Sequence, residues 1–315
     1  MSAHRLKAYF YLLIVVAIWG IAGPVIKLTL GVLPWDILLL YRFFVSAVVF
    51  IPFIHKKDFH PLKNTKILFL AFIYMIFNTT ISLSLLFAGT ARTSLLSMNL
   101  ISLFGPILTI LGGYFFLKDR IPWIEKVGMS ITFFGSLLLI IEPLIKFDGA
   151  QGEITGNIMI IGSLVTGTVA AIILKELLRK GVGAIFLANI GFVVGFLTII
   201  PITLYFHPIS NILNTLYSLP LNYHLGILYL AVFSGTIAYS LNNIAQKSIE
   251  VSELAVFNYL YPIISAVLAV WFLKETMTSL AYFGAGVTLV GIFITEIKRR
   301  TRHTGLAESR KRRYN

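Results

Sequence analysis

Apolar runs long enough to cross a bilayer recur along almost the whole chain, and they constrain its fold more than any other feature. The first, Tyr9 to Ala22, shows no alternation of polar and apolar residues. It therefore reads as helix and not as the roughly 10-residue alternating strand of a membrane barrel. A hydrocarbon layer about 30 Å thick needs about 20 helical residues. Reading runs between polar or Gly/Pro punctuation predicts ten spans: 8–30, 34–54, 66–88, 93–117, 122–142, 154–177, 183–206, 222–246, 252–273 and 278–297. The expected fold class is an all-α polytopic membrane protein with ten transmembrane helices.

Composition agrees with this reading. The hydrophobic set makes up 57% of the 315 residues and only 12% are charged, about half the share in a soluble domain. A soluble enzyme, a disordered chain and a secreted disulfide scaffold are excluded. With no cysteine, disulfides, Cys-ligated zinc, iron–sulfur centres and thiol nucleophiles are excluded too. His4, His55, His60, His207, His224 and His303 are read as lying in loops or tails, and none has a second His at metal-ligand spacing. No metal and no cofactor are expected. The first run is too long for a signal-peptide core and is read as a retained helix.

The net charge of +13 becomes informative once located, because eight of the 26 basic residues fall in the tail after Glu296. Such a tail suits anionic lipid headgroups. RNA binding would need interleaved aromatics, and Tyr314 stands alone, so no nucleic-acid partner is expected. With a cytoplasmic N-terminus, the N-tail, 55–66, 118–126, 175–180, Lys247 and the C-tail place 21 Lys and Arg inside, against Arg92, Lys146 and Lys274 outside. That asymmetry puts both termini in the cytoplasm of a cell with this protein in its plasma membrane.

The chain also matches itself. At an offset of 156, residues 103–140 lie over 259–296 with eight identities, among them Pro106/Pro262, Gly128/Gly284, Thr132/Thr288 and Gly135/Gly291. An offset of 148 puts Lys27 on Lys175, and one of 149 puts Phe43 on Phe192 and Pro52 on Pro201. The chain divides into residues 1–148, 149–297 and the tail 298–315. Five spans per unit is odd, so the second unit enters the bilayer from the opposite side. Inverted repeats supply the two related states that alternating access requires. The same duplication could also simply build a stable bundle.

Polar residues at membrane depth are costly unless they face protein or water. Thr236, Tyr239, Asn243 and Gln246 fall at i, i+3, i+7 and i+10 on the eighth span, along one helical face. Asn99, Ser102 and Pro106 do the same on the fourth, Asn78 and Ser82 on the third, and Asn258, Pro262 and Ser265 on the ninth. They either line a cavity for a small polar solute or tie helices together. Arg42 lies about nine residues into its span, as a structural tie or a contact to a solute carboxylate. Pro24, Pro106 and Pro262 are hinge or static-kink positions. The glycines Gly128, Gly135, Gly284 and Gly291 allow close helix approach, within one chain or between the protomers of a homodimer. No carboxylate lies mid-span and no phosphate-binding G-x4-G-K-[ST] run occurs, which argues against proton coupling through a membrane acid and against an intrinsic ATPase.

Several of these residues together resemble the drug/metabolite transporter superfamily, in its ten-helix EamA-type branch. They are Trp19-Gly20 followed by Pro24 and Lys27, Pro34 followed by Tyr41-Arg42-Phe43, Phe-Phe-Leu-Lys-Asp at 115–119, Trp-Phe-Leu-Lys-Glu at 271–275, and the paired glycines. The resemblance implies a 5+5 inverted repeat, a cavity lined by helices 1, 3, 4, 6, 8 and 9, and export of amino acids or related metabolites, with no enzymatic activity. It makes Trp19 a cavity residue as much as a packing one and gives Lys27 a functional role, where position alone would let it snorkel to the interface. Gly167 and Gly191 stand where Trp19 and Arg42 would map, so the halves cannot offer a ligand identical chemistry. A non-transporting receptor or scaffold subunit is the alternative.

The absence of native cysteine allows a direct test of topology. Single cysteines at position 60 and in the C-terminal tail are expected to resist an impermeant thiol reagent added to intact cells and to react after lysis. Labelling of either in intact cells would reverse the orientation.

Overall fold

In the computed structural model, residues 3–117, 123–145, 151–249, 254, 257–276, 278–280 and 282–294 are described. The basic tail, Lys118, Asp119, Glu250, Glu253 and Glu296 lie outside them. Among the described residues the regular structure is helical. In hydrocarbon no water is available to a free N–H or C=O, and a helix satisfies both internally. The long helices are α1 (Ala3–Leu30), α2 (Trp35–Phe50), α3 (Thr65–Arg92), α4 (Leu95–Ser102 and Gly105–Leu117), α5 (Trp123–Ile145), α6 (Gln151–Arg179), α7 (Ala184–Phe206), α8 (Leu221–Ser248), α9 (Leu260–Leu273) and α10 (Tyr282–Ile294). Seven stretches among the described residues are long and apolar enough to span a bilayer, and α9 and α10 are shorter apolar helices. The protein is an all-α, multi-pass membrane protein.

Two helices change winding in mid-course. Ile76–Ile81 of α3 and Leu230–Ile237 of α8 are π-helical. Two others are interrupted next to a proline: α4 at 103–104, just before Pro106, and the ninth apolar stretch at Tyr259, just before Pro262. Pro24, in contrast, lies inside the uninterrupted α1. The π segments and the breaks stand 154 to 156 residues apart, close to the spacing at which the sequence matches itself.

Helix ends are tied by charge. Lys27 Nζ of α1 donates to the carbonyls of Thr90 (3.0 Å) and Thr93 at the end of α3. Lys175 Nζ of α6 donates to Gln246 (2.6 Å) and Ile249 (2.7 Å) at the end of α8. A cation at a helix C-terminus meets both the free carbonyls and the negative dipole end. Lys27 therefore does not snorkel, because two carbonyl acceptors inside the protein hold its ammonium. The reciprocal device starts α4. Lys274, left-handed at φ 55°, ends α9, and Glu275 accepts from the N–H groups of Leu95 (3.0 Å) and Leu96 (2.8 Å).

Between α7 and α8 runs a surface helix, Ile209–Tyr217, that the sequence reading treats as loop. Ile212 is buried while Ile209, Leu213 and Tyr217 are exposed along one stripe. Exposed apolar surface of this kind suits the plane of a membrane interface. His224, read as a loop residue, instead occupies the first turn of α8 and pairs with the Tyr41 hydroxyl at 3.0 Å. Nearby, buried Asp36 at the start of α2 faces His207 Nε2 at 3.3 Å.

Gly128, Gly135, Gly284 and Gly291 bring α5 and α10 into backbone contact. A Cβ on Gly135 would lie 2.6 Å from the Thr288 nitrogen, and one on Gly291 would collide with the Thr132 nitrogen and lie 2.7 Å from the Gly128 carbonyl oxygen. Thr132 and Thr288 are fully buried between them. These glycines are thus spent within one chain, and a homodimer built on them would have to displace this contact. Since backbone cannot move aside as a flexible side chain can, Gly291→Leu is expected to lower thermal stability by more than the roughly 1–3 kcal/mol of ordinary overpacking. A melting temperature equal to that of wild type in detergent would refute the close contact.

Candidate functional site

The helices enclose a cavity of about 250 Å³. Its wall is built mainly from α1, α3, α4, α6, α8 and the stretch 254–265, with one side chain, Arg42, reaching in from α2. Trp19, Asn78, Ser82, Asn99, Ser102, Pro106, Tyr239, Asn243, Gln246 and Asn258 all line it. Lys27, Pro24 and Pro262 do not.

Thr236 does not line the cavity. A period of 3.6 places it on the face of Tyr239 and Asn243, but it sits in the π-helical segment of α8. The wider π turn (i→i+5) rotates residues before it relative to those after, and Thr236 leaves the wall while Ser234 joins it. Sequence periodicity also leaves out Tyr74, Tyr261, Ser163 and Asn242, which share the lining. The Asn242–Asn243 pair was a visible signal for the last of these. The two tyrosines carry no polar periodicity that would single them out.

The polar groups fall into two sets. In the first, each side chain is tied to protein. Ser82 Oγ donates to the Ser163 carbonyl (3.0 Å), Ser102 Oγ to Met98 (2.7 Å), Asn243 Nδ2 to Ala184 (3.3 Å) and Gln246 Nε2 to Ala171 (2.9 Å). In the second, Asn78 Nδ2, Asn99 Nδ2, Asn242 Oδ1 and Ser265 Oγ are enclosed and lack a protein partner. An enclosed polar atom without a partner costs about 1–3 kcal/mol. All four belong to residues that line the cavity.

Aromatic rings form a further part of the wall. Trp19 packs edge-on against Tyr239 (5.2 Å) and Tyr261 (5.7 Å), and Tyr239 against Phe192 (5.4 Å). Trp19 Nε1 donates to the Ser234 carbonyl at 3.1 Å. That carbonyl belongs to the π segment, two more of whose oxygens also accept from the N-terminal half. Arg42 Nε donates to Leu230 (3.1 Å) and Ser46 Oγ to Ala231 (3.0 Å).

The π segment of α3 is met differently. Thr79 Oγ1 donates to Met75 and to the Gly191 carbonyl (2.9 Å). The facing residues there are Gly191 and Gly195, whose Cβ positions would lie 3.2 Å from Thr79 and 3.1 Å from Phe43. Large donors serve one π segment and glycines the other. The cavity consequently receives its Trp and its Arg from one side only.

Comparison with known proteins places this architecture. A solved crystal structure superposes with a TM-score of 0.66 at 15% identity, covering 95% of this chain and 99% of the other. The uncharacterized transporter YetK of Bacillus subtilis is 23% identical over 303 residues, 94% of this chain and 88% of its own length. An uncharacterized transporter of Archaeoglobus fulgidus is 26% identical over 298 residues, 93% of this chain and all of its own. A chloroplastic WAT1-related protein of Arabidopsis thaliana is 22% identical over 282 residues, 88% of this chain and 66% of its own. The model of the EamA-like transporter family matches twice, over residues 6–141 and 154–297. The chain is a member of the EamA-like transporter family, within the drug/metabolite transporter superfamily.

Proposed function

We propose that this membrane transporter is a secondary carrier that exports small polar metabolites, amino acids among them, by alternating access. The observation that carries the reading is the cavity: helices from both halves of the chain enclose it, and its wall holds enclosed polar atoms with no protein partner. In this reading residues 1–148 and 149–297 are two five-helix units inserted in opposite senses, giving ten transmembrane helices. The recurrence of π segments, proline-adjacent breaks and lysine-capped helix ends at offsets of 148 to 156 supports that arrangement. Both termini face the cytoplasm of a cell bounded by the membrane that holds the protein, and the tail 298–315 lies against anionic headgroups. The substrate-binding group is Trp19, Asn78, Asn99, Tyr239 and Asn258, with Ser82, Ser102, Asn243 and Gln246 shaping the wall.

Counterflow in proteoliposomes, with radiolabelled amino acids outside and unlabelled ones inside, tests the reading. Asn99→Leu is expected to lower flux at least ten-fold while leaving the melting temperature unchanged, because Asn99 Nδ2 gives up no protein bond. Gln246→Leu is expected to lower the melting temperature as well, since it breaks a bond between α8 and α6. A folded protein that binds a solute yet shows no counterflow of it would make this chain a receptor and not a carrier.

A further inference from the structure

Among the described residues Arg42 is a buried charge without a counter-charge. Arg42 is 2% exposed and lines the cavity. Its Nε is used on the Leu230 carbonyl and its guanidinium lies over the Phe87 ring at 5.2 Å. Among the described residues no carboxylate pairs with it, and no protein acceptor takes the N–H groups of its two terminal nitrogens. A guanidinium removed from water and left unpaired is expensive. If it served only to tie α2 to α8, the one bond from Nε would suffice, and Ser46 makes such a tie one turn on without a charge.

We infer that Arg42 is the carboxylate-recognition residue of the transport cavity, and that the solutes are small organic carboxylates. The planar fork of terminal N–H groups matches the two oxygens of a carboxylate. A lone cation in a wall of neutral amides, hydroxyls and rings balances one negative charge; a phosphate dianion would leave one uncompensated. The unpartnered Asn78 Nδ2 and Asn99 Nδ2 are further donors for the anionic end or its polar neighbours. Trp19, Tyr239 and Tyr261 offer ring edges and faces to the remainder of the solute. The asymmetry fits as well: Gly191, at the matching place in the second half, brings no second cation, so the cavity has one anchor and one orientation for its guest.

The inference rests on the carrier reading for its biological role, but binding tests it separately from flux. The probes are matched pairs of a carboxylate and its primary amide: acetate and acetamide, phenylacetate and phenylacetamide, alanine and alaninamide, phenylalanine and phenylalaninamide. For the purified full-length protein, at least one carboxylate is expected to raise the melting temperature while its amide does not. Arg42→Gln is expected to weaken that carboxylate about ten- to hundred-fold, the worth of a charge-assisted pair, and Arg42→Lys is expected to recover only part of the loss. If neither variant folds, protection of wild-type Arg42 from phenylglyoxal by the carboxylate, read by mass spectrometry, takes their place. Equal shifts from acids and amides, no shift from any acid, undiminished binding by Arg42→Gln, or no protection would each overturn the assignment. Carboxylate binding without counterflow would remove the carrier reading and leave Arg42 in its role. Counterflow of acids and amides alike would do the reverse.

Discussion

A backbone group inside a bilayer has no water to turn to, and the structure is organised by how that demand is met wherever a helix departs from regular winding. The π segments of α3 and α8, the interruptions beside Pro106 and Pro262, and the helix ends at Thr93 and Ile249 are such places. The α8 π segment and the two helix ends draw side chains from other helices, whereas at the α3 π segment Thr79 of that segment itself bonds outward to Gly191. Lys27 and Lys175 hold C-terminal carbonyls, Glu275 holds N-terminal N–H groups, and Arg42, Ser46 and Trp19 hold the oxygens of the α8 π segment. The polar residues of an apolar chain are thus placed where regular hydrogen bonding lapses.

The same constraint gives the cavity its lopsided chemistry. Two π segments at matching places would, in an exact duplication, recruit the same donors. Here the donors facing α8 are an Arg, a Ser and a Trp, whereas the residues facing α3 are glycines and the bond is made by Thr79 of α3 itself. Bulk on one interface is exchanged for bulk on the other, so both pack closely. The side effect is a cavity whose described lining holds one cation and one indole among neutral amides, hydroxyls and apolar side chains.

The resemblance between the sequence reading and the structure is uneven in an instructive way. Seven span positions are legible because hydrophobic length is a local property, and the glycines of α5 and α10 are legible as close-approach sites because their spacing survives in a regular helix. Thr236 falls off the cavity wall because a π turn shifts the phase and has no dependable sequence mark. Position alone lets Lys27 snorkel to the interface because its acceptors, Thr90 and Thr93, are more than sixty positions away in the chain. The surface helix at Ile209–Tyr217 went unread, although Ile209, Ile212, Leu213 and Leu216 keep helical spacing after Pro208, because only nine residues carry the pattern.

The sequence by itself determined the class of the protein, the placing of its membrane-crossing stretches and the polar residues available to a site. Apolar length and residue type are local properties and can be read without neighbours. Which polar atoms are consumed as ties and which are left facing the cavity was decided only by the tertiary structure. That division depends on which carbonyl, from which distant helix, lies within about 3 Å of each donor. Ser102 and Asn99, three residues apart on one helix, illustrate it: the first bonds its own backbone while the second is left with an amide nitrogen that no protein atom takes.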